Sequence, residues 1–224
     1  PDDRYNYYTG FNAHHFRFLE NHDEERIAQM FRSDVRRTMP GAAVLLTTPG
    51  IPMLYAGQEI GWTGQRDRIN FSTPPQPQLL PWYRRLIALR NAHEALRTPL
   101  LRRLTNNTAG VYSYVRPWKD GNIIVAANFR DVALRSSITI AEGDVLLSTP
   151  LEPQATYYLN DLTVDSSYAV SGATLAALPL DLAAFQSRVL LLDDSAHFPI
   201  VTSATPLLDA NTPALRIEST APHP

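Results

Sequence analysis

His22 and Asp23 are the residues of this chain best placed to do chemistry. They close the run Phe18-Leu19-Glu20-Asn21-His22-Asp23-Glu24-Glu25-Arg26, in which a short apolar approach stops at an imidazole and a carboxylate and then breaks into charge. A carboxylate at the end of a buried strand can accept hydrogen bonds from neighbouring sugar hydroxyls, and those bonds strengthen as the ring flattens toward an oxocarbenium ion. The imidazole beside it can donate to, or accept from, another hydroxyl. The same residues admit a plainer role, with Asp23 as the N-cap of a helix containing Ile27 and with Glu24 and Glu25 at the positive helix end. Taken alone, the segment favours the cap, because capping aspartates are common.

The elements around it decide which role is open. Phe16 to Asn21 suits a short strand, and after Asp23 the residues Ile27, Met30 and Phe31 fall on one helical face. A second helix is expected from Asp34 to Thr48, with Met39, Ala43, Val44 and Leu46 at helical spacing and Pro49-Gly50 as the stop. Ile51 to Tyr55 is an apolar run fit for a buried strand. The order is strand, helix, strand, which places His22 and Asp23 at a carboxyl-terminal strand end, where a barrel presents its reactive groups. A polar loop from Gly61 to Gln78 follows. Then comes a long helix with Pro81 in its first turn, an apolar stripe including Leu86, Ile87, Leu89 and Leu96, solvent-facing Arg84, Arg85 and Glu94, and an end at Pro99. Beyond Leu101 short β-rich runs take over: 111–116, 122–129, 134–140, 156–159 and 187–192, separated by turn signals such as Lys119-Asp120-Gly121. These predict an antiparallel sandwich able to fold by itself.

Composition narrows the function classes. The 224 residues carry a net charge of -2 with 20 Lys and Arg scattered along the chain, so no basic face for nucleic acid is present. Zero cysteines exclude disulfides and thiol chemistry, and no apolar run is long enough to span a bilayer. His14, His15 and His22 lack carboxylate or thiolate partners at ligand spacing, so no metal centre is expected. Trp62, Trp82 and Trp118 are candidate sugar-stacking platforms. Trp62 has the strongest claim by position and Trp82 reads as packing. Tyr112 and Tyr114 alternate as one sheet face does. The start at Pro1, without methionine or signal segment, leads us to expect a natural start further upstream.

About thirty residues after His22-Asp23 comes Thr48-Pro49-Gly50-Ile51-Pro52-Met53-Leu54-Tyr55-Ala56-Gly57-Gln58-Glu59-Ile60-Gly61. Together with Phe-Leu-Glu-Asn-His-Asp it closely resembles the glycoside hydrolase family that includes the α-amylases, at its seventh and eighth barrel strands. Gly50, Pro52, Tyr55, Gly57 and Glu59 match the eighth-strand motif. Trp82 to Arg90 resembles the last barrel helix, and Val125 to Phe129 a strand of the C-terminal domain. The resemblance covers residues 16 to about 193. It implies a fold class of α/β plus all-β: the last two βα units of a (β/α)8 TIM barrel in residues 1–98 and an antiparallel β-sandwich in 99–194. A linker or the start of an appended domain would follow in 195–224.

The resemblance assigns Asp23 as the transition-state-stabilising carboxylate and His22 as a substrate-binding histidine. Arg26 is a further substrate-binding candidate, with a helix-surface ion pair as its equal alternative, and Trp62 a third; Glu59 reads as structural. The family's nucleophilic aspartate and acid/base glutamate lie after earlier strands and have no counterpart here. A retaining glycosidase needs both, about 5 Å apart, so the chain alone is expected to be inactive. The leading reading is therefore part of a retaining hydrolase or transglycosylase acting on an α-glucan or maltooligosaccharide. The alternatives are a catalytically dead relative used in binding or assembly, and a glycan-binding accessory piece. No cofactor is evident. The resemblance leaves calcium open for the full-length protein, and Leu215 to Pro224 resembles the start of an appended domain on some secreted bacterial proteins, hinting at export.

Overall fold

The computed structural model describes residues 15–31, 34–119 and 121–201. The expectations for residues 1–14, including His14, for Asp120, and for the tail 202–224 lie outside them.

Strands β1 (Phe16–Arg17) and β2 (Ile51–Pro52) pair in parallel, Phe16 opposite Ile51 and Arg17 opposite Pro52. The ladder is shorter than the apolar runs predict, and Pro52 has no N–H to add to it. Between the two strands lie α1 (Ile27–Met30), a 3-10 turn over Val35–Thr38 and α2 (Met39–Thr47). Asp34 caps the 3-10 turn, its Oδ1 accepting from the Arg36 N–H at 3.1 Å. The helix expected from Asp34 thus forms in two pieces. Pro40 lacks an N–H and is tolerated only in the first turn of an α-helix, so α geometry starts at Met39.

Helix α3 (Leu79–Ala92) starts two residues before Pro81 and packs on α2 through Ala42, Ala43, Leu46, Leu79, Tyr83 and Leu86. Trp82 belongs to this packing and donates its indole N–H to the Met39 carbonyl at 3.1 Å. Arg85, expected to face solvent, donates instead to the Leu162 carbonyl at 2.7 Å and pairs with Asp165. A 3-10 turn over Glu94–Arg97 completes the segment.

The rest is antiparallel β. Nine strands follow: β3 (Arg102–Arg103), β4 (Thr105–Asn106), β5 (Val111–Arg116), β6 (Asn122–Asn128), β7 (Leu134–Thr139), β8 (Thr156–Asp161), β9 (Ser166–Ser171), β10 (Leu178–Leu182) and β11 (Ser187–Asp193). A short helix α4 (Gly172–Leu175) joins β9 to β10. A six-stranded sheet in the order β3-β5-β6-β11-β8-β9 faces a three-stranded sheet β10-β7-β4. Val115, Ile124, Ile138, Leu159, Leu180 and Leu190 are fully buried between them. The other face of the large sheet is covered at its central strands. Tyr114, Ile123, Val125, Val189 and Leu191 pack on Leu89, Ala95 and Leu96 of α3 and the turn after it, so every residue of β6 is buried.

Residues 195–201, read from the sequence as linker, are held against the sheet. Asn160 Oδ1 accepts from the His197 N–H at 2.8 Å, Ser167 Oγ from the Phe198 N–H at 3.0 Å, and Ile200 bridges in parallel to Ser167. At the opposite end, Phe16, Phe18, Met30 and Ile51 are exposed around the two-stranded sheet.

Candidate active site

Both loops that build the site leave the carboxyl ends of β1 and β2. The first carries His22 and Asp23 in a bend, where Asn21 Oδ1 accepts the N–H groups of Asp23 at 2.7 Å and Glu24 at 3.0 Å. This side-chain turn organises backbone that no ladder holds. His22 and Asp23 project into solvent with 62% and 66% of their side chains exposed, and His22 Nε2 lies 3.2 Å from Asp23 Oδ2. Asp23 is not the helix cap. Arg26 occupies that position, and the first N–H of α1, on Ile27, donates to Glu20 Oε2 at 2.7 Å.

Glu20 is the residue that sequence reasoning passed over. It is fully buried, and its Oε1 pairs with Arg26 Nη1 at 2.6 Å, with Arg26 only 2% exposed. Burial pushes the Glu20 carboxyl above its ordinary range, although Arg26 and the Ile27 N–H both act to lower it. Arg26 is therefore neither at the substrate-facing surface nor on a helix surface. Its guanidinium lies 3.9 Å over the Tyr55 ring and donates to the carbonyls of Gly64 at 2.9 Å and Ala56 at 3.0 Å. One buried cation thus joins the first loop to the second. The only sequence signal was a charged residue at Glu20 inside an otherwise apolar approach.

The second loop folds back over Gly57, whose φ of 91° suits glycine. A Cβ there would come within 2.7 Å of Trp62 Cβ. Trp62 is half-buried, and its indole Nε1 is buried without a hydrogen-bond partner among the described residues. It flanks the second loop, and no contact joins it to His22 or Asp23 among those described. Glu59 Oε2 accepts the Gly57 N–H at 3.1 Å, as a structural reading requires. Gln58 donates to the Tyr83 hydroxyl at 2.9 Å and ties the loop to α3.

Arginines also fix the approach to β2. Arg90 donates to the carbonyls of Leu46, Thr48 and Gly50, Arg116 from β5 to those of Thr47, Leu96, Thr98 and Leu100, and Arg17 to that of Pro49 at 2.6 Å. The carbonyls of Leu46 and Thr47, left open at the end of α2, are thereby satisfied. Burial pulls the Arg90 and Arg116 guanidiniums below their ordinary range. Among the described residues, no three His, Asp or Glu side chains come together as a metal site would require, and no helix is long and apolar enough to cross a membrane.

Chemically, the site offers an exposed carboxylate with an imidazole beside it, on a rigidly backed loop. Residues 5–77 match the family described as the alpha-amylase catalytic domain. An α-amylase of Niallia circulans is 33% identical over 176 residues, 71% of this chain and 31% of that protein. A cyclomaltodextrinase of a Bacillus species is 29% identical over 120 residues, 50% of this chain and 22% of that protein. Among solved structures, the α-amylase from Geobacillus thermoleovorans complexed with acarbose superposes with a TM-score of 0.67 at 20% identity, covering 85% of this chain and 42% of that one. That likeness establishes the fold, which extends through the β domain. The chain spans less than a third of the length of these curated relatives.

Proposed function

We propose, from the match of residues 5–77 to the alpha-amylase catalytic-domain family, that His22 and Asp23 form one wall of an α-glucan site in a retaining glycoside hydrolase or transglycosylase. Strands β1 and β2 are then the last two strands of the barrel, and the exposed Phe16, Phe18 and Ile51 meet its remaining strands. Asp23 accepts hydrogen bonds from ring hydroxyls and stabilises the oxocarbenium-like transition state, while His22 engages an adjacent hydroxyl. Trp62 offers an apolar face to a neighbouring sugar unit. Arg26 acts from beneath, holding the two loops in register through Glu20, Gly64 and Ala56. The nucleophile and acid/base come from outside this chain, so residues 1–224 alone do not turn over substrate.

The observation that carries this reading is the pairing of an exposed carboxylate and imidazole, 3.2 Å apart, past the carboxyl end of a parallel strand. Maltooligosaccharides such as maltoheptaose are the substrate class it fits, and the Geobacillus relative was solved in complex with acarbose. The test is Asp23→Asn in the protein that joins this chain to a complete catalytic domain. The kcat on maltoheptaose should fall by about 10²- to 10³-fold, the scale for removing one preorganised transition-state partner. Retention of full activity would exclude the assignment.

A further inference from the structure

The bend that carries His22 and Asp23 has little of its own to hold it. No sheet ladder reaches it, and both side chains stand in solvent. Beyond the local turn at Asn21, its hold comes from two residues of the second loop. The Gln65 side-chain amide faces three backbone carbonyls of the bend, those of Asn21 at 3.4 Å, His22 at 3.1 Å and Glu24. All three partners are acceptors, which fixes the amide with its NH2 group toward them. Gln65 is itself anchored, since its main-chain carbonyl accepts the Tyr55 hydroxyl at 2.8 Å. Next to it, Arg66 Nη2 donates to Asp23 Oδ1 at 2.7 Å and Arg66 Nε to the His22 carbonyl at 3.3 Å. With His22 on Oδ2, both oxygens of the Asp23 carboxylate are engaged before any sugar arrives.

Resting on the reading of His22 and Asp23 as a sugar-binding wall, we propose that Gln65 and Arg66 are its positioning residues. Gln65 fixes the backbone bend, and Arg66 holds the Asp23 carboxylate in one rotamer, from which it meets the sugar hydroxyls without a reorientation step. The Arg66–Asp23 pair is exposed on both sides, each side chain 66% accessible. Such pairs contribute little to folding, so its removal leaves the melting temperature where it was. What it changes is the geometry at the reacting group, where small misplacements cost rate.

The experiment measures kcat and KM on maltoheptaose, with the melting temperature, in the protein that joins this chain to a complete catalytic domain. Arg66→Ala lowers kcat by about tenfold to a hundredfold with KM within about threefold, and Arg66→Lys, which keeps the charge but not the two-point contact, recovers part of it. Gln65→Glu, the same size but without the donors, lowers kcat in the same way. The exposed Arg102→Ala serves as control. Unchanged kcat in Arg66→Ala, a loss matched by the control, or a loss that tracks melting temperature overturns the proposal. Should the wild-type protein not turn over α-glucan, the sugar-site reading fails, and the positioning role is read in residues 1–224 by three-bond couplings of Asp23. One χ1 rotamer in the wild type and averaging in Arg66→Ala sustain it; identical couplings in both overturn it.

Discussion

Replacing Arg26 with Met removes the cation that faces Glu20 and leaves a fully buried carboxylate with the Ile27 N–H but no opposite charge. Breaking a buried pair in this way costs about 3–5 kcal/mol, but here the carboxylate has an escape, which is to take up a proton. From its ordinary value of 4.5, protonating Glu20 costs at most about 3.4 kcal/mol at pH 7 and about 0.7 kcal/mol at pH 5. The sign follows from the shift. A carboxyl whose folded pKa is raised contributes stability below its unfolded pKa and loses it as pH rises through the folded value. Without Arg26 that raised value climbs further, because desolvation, already the largest influence, acts with less opposition. The loss of the donors to Gly64 and Ala56 and of the stack on Tyr55 adds about 2 kcal/mol at either pH. Urea denaturation of residues 1–224 should therefore show Arg26→Met losing up to about 2–3 kcal/mol more at pH 7 than at pH 5, each relative to wild type. Glu20→Gln combined with Arg26→Met should recover most of that difference at pH 7. Equal losses at the two pH values, or a double variant no more stable than the single at pH 7, would refute the account of the pair.

Gly57→Ala places a Cβ 2.7 Å from Trp62 Cβ at a φ of 91°, and should cost about 1–3 kcal/mol while altering the near-ultraviolet circular dichroism. Arg116→Met leaves the carbonyls of Thr47, Thr98 and Leu100 without this donor, while Leu96 keeps Arg90; a loss of about 2–4 kcal/mol in urea midpoint analysis is expected. Ser167→Ala removes the acceptor of the Phe198 N–H and the donor to Asn160 Oδ1. Hydrogen exchange at the Phe198 N–H should then run about tenfold faster, the scale of one lost hydrogen bond.

The motif residues were legible because their chemistry is local: a Gly with positive φ, a carboxylate at a strand end and a tyrosine at fixed spacing each announce themselves in sequence. Gln65 and Arg66 did not, since their partners lie more than 40 positions away and nothing in a polar loop distinguishes a clamp from a solvated side chain. Glu20 was hidden for the complementary reason. Its environment, rather than its neighbours in sequence, makes it a buried ion. In the β domain, β10 escaped notice because Pro179 interrupts it, yet Leu178, Leu180 and Leu182 alternate inward as a strand requires. The strand sits at a sheet edge, paired only with β7, where a proline is tolerated. Strand β9 offers mostly serines and small residues, and it too is an edge.

The β domain bears on the site more directly than a separately folding sandwich would. Its large sheet has two buried faces, and the second is completed only by α3 and the turn after it. The Tyr114 hydroxyl meets the Thr47 hydroxyl at 2.5 Å and Arg116 takes the Thr47 carbonyl, both at the last residue of α2. Arg90 and Arg17 hold the carbonyls from Leu46 to Gly50, so the start of β2 is set from three sides. Strand β2 then leads through Tyr55 to Gln65, and Gln65 to the bend at His22 and Asp23. Arg116 is thus linked to the bend at Asp23 by the Thr47 carbonyl, the chain from Thr47 to Tyr55, and the hydrogen bonds of Tyr55 and Gln65. Removing the sandwich should misplace the carboxylate even though no β-domain residue touches it, and it should do so through kcat before KM, as loss of positioning does.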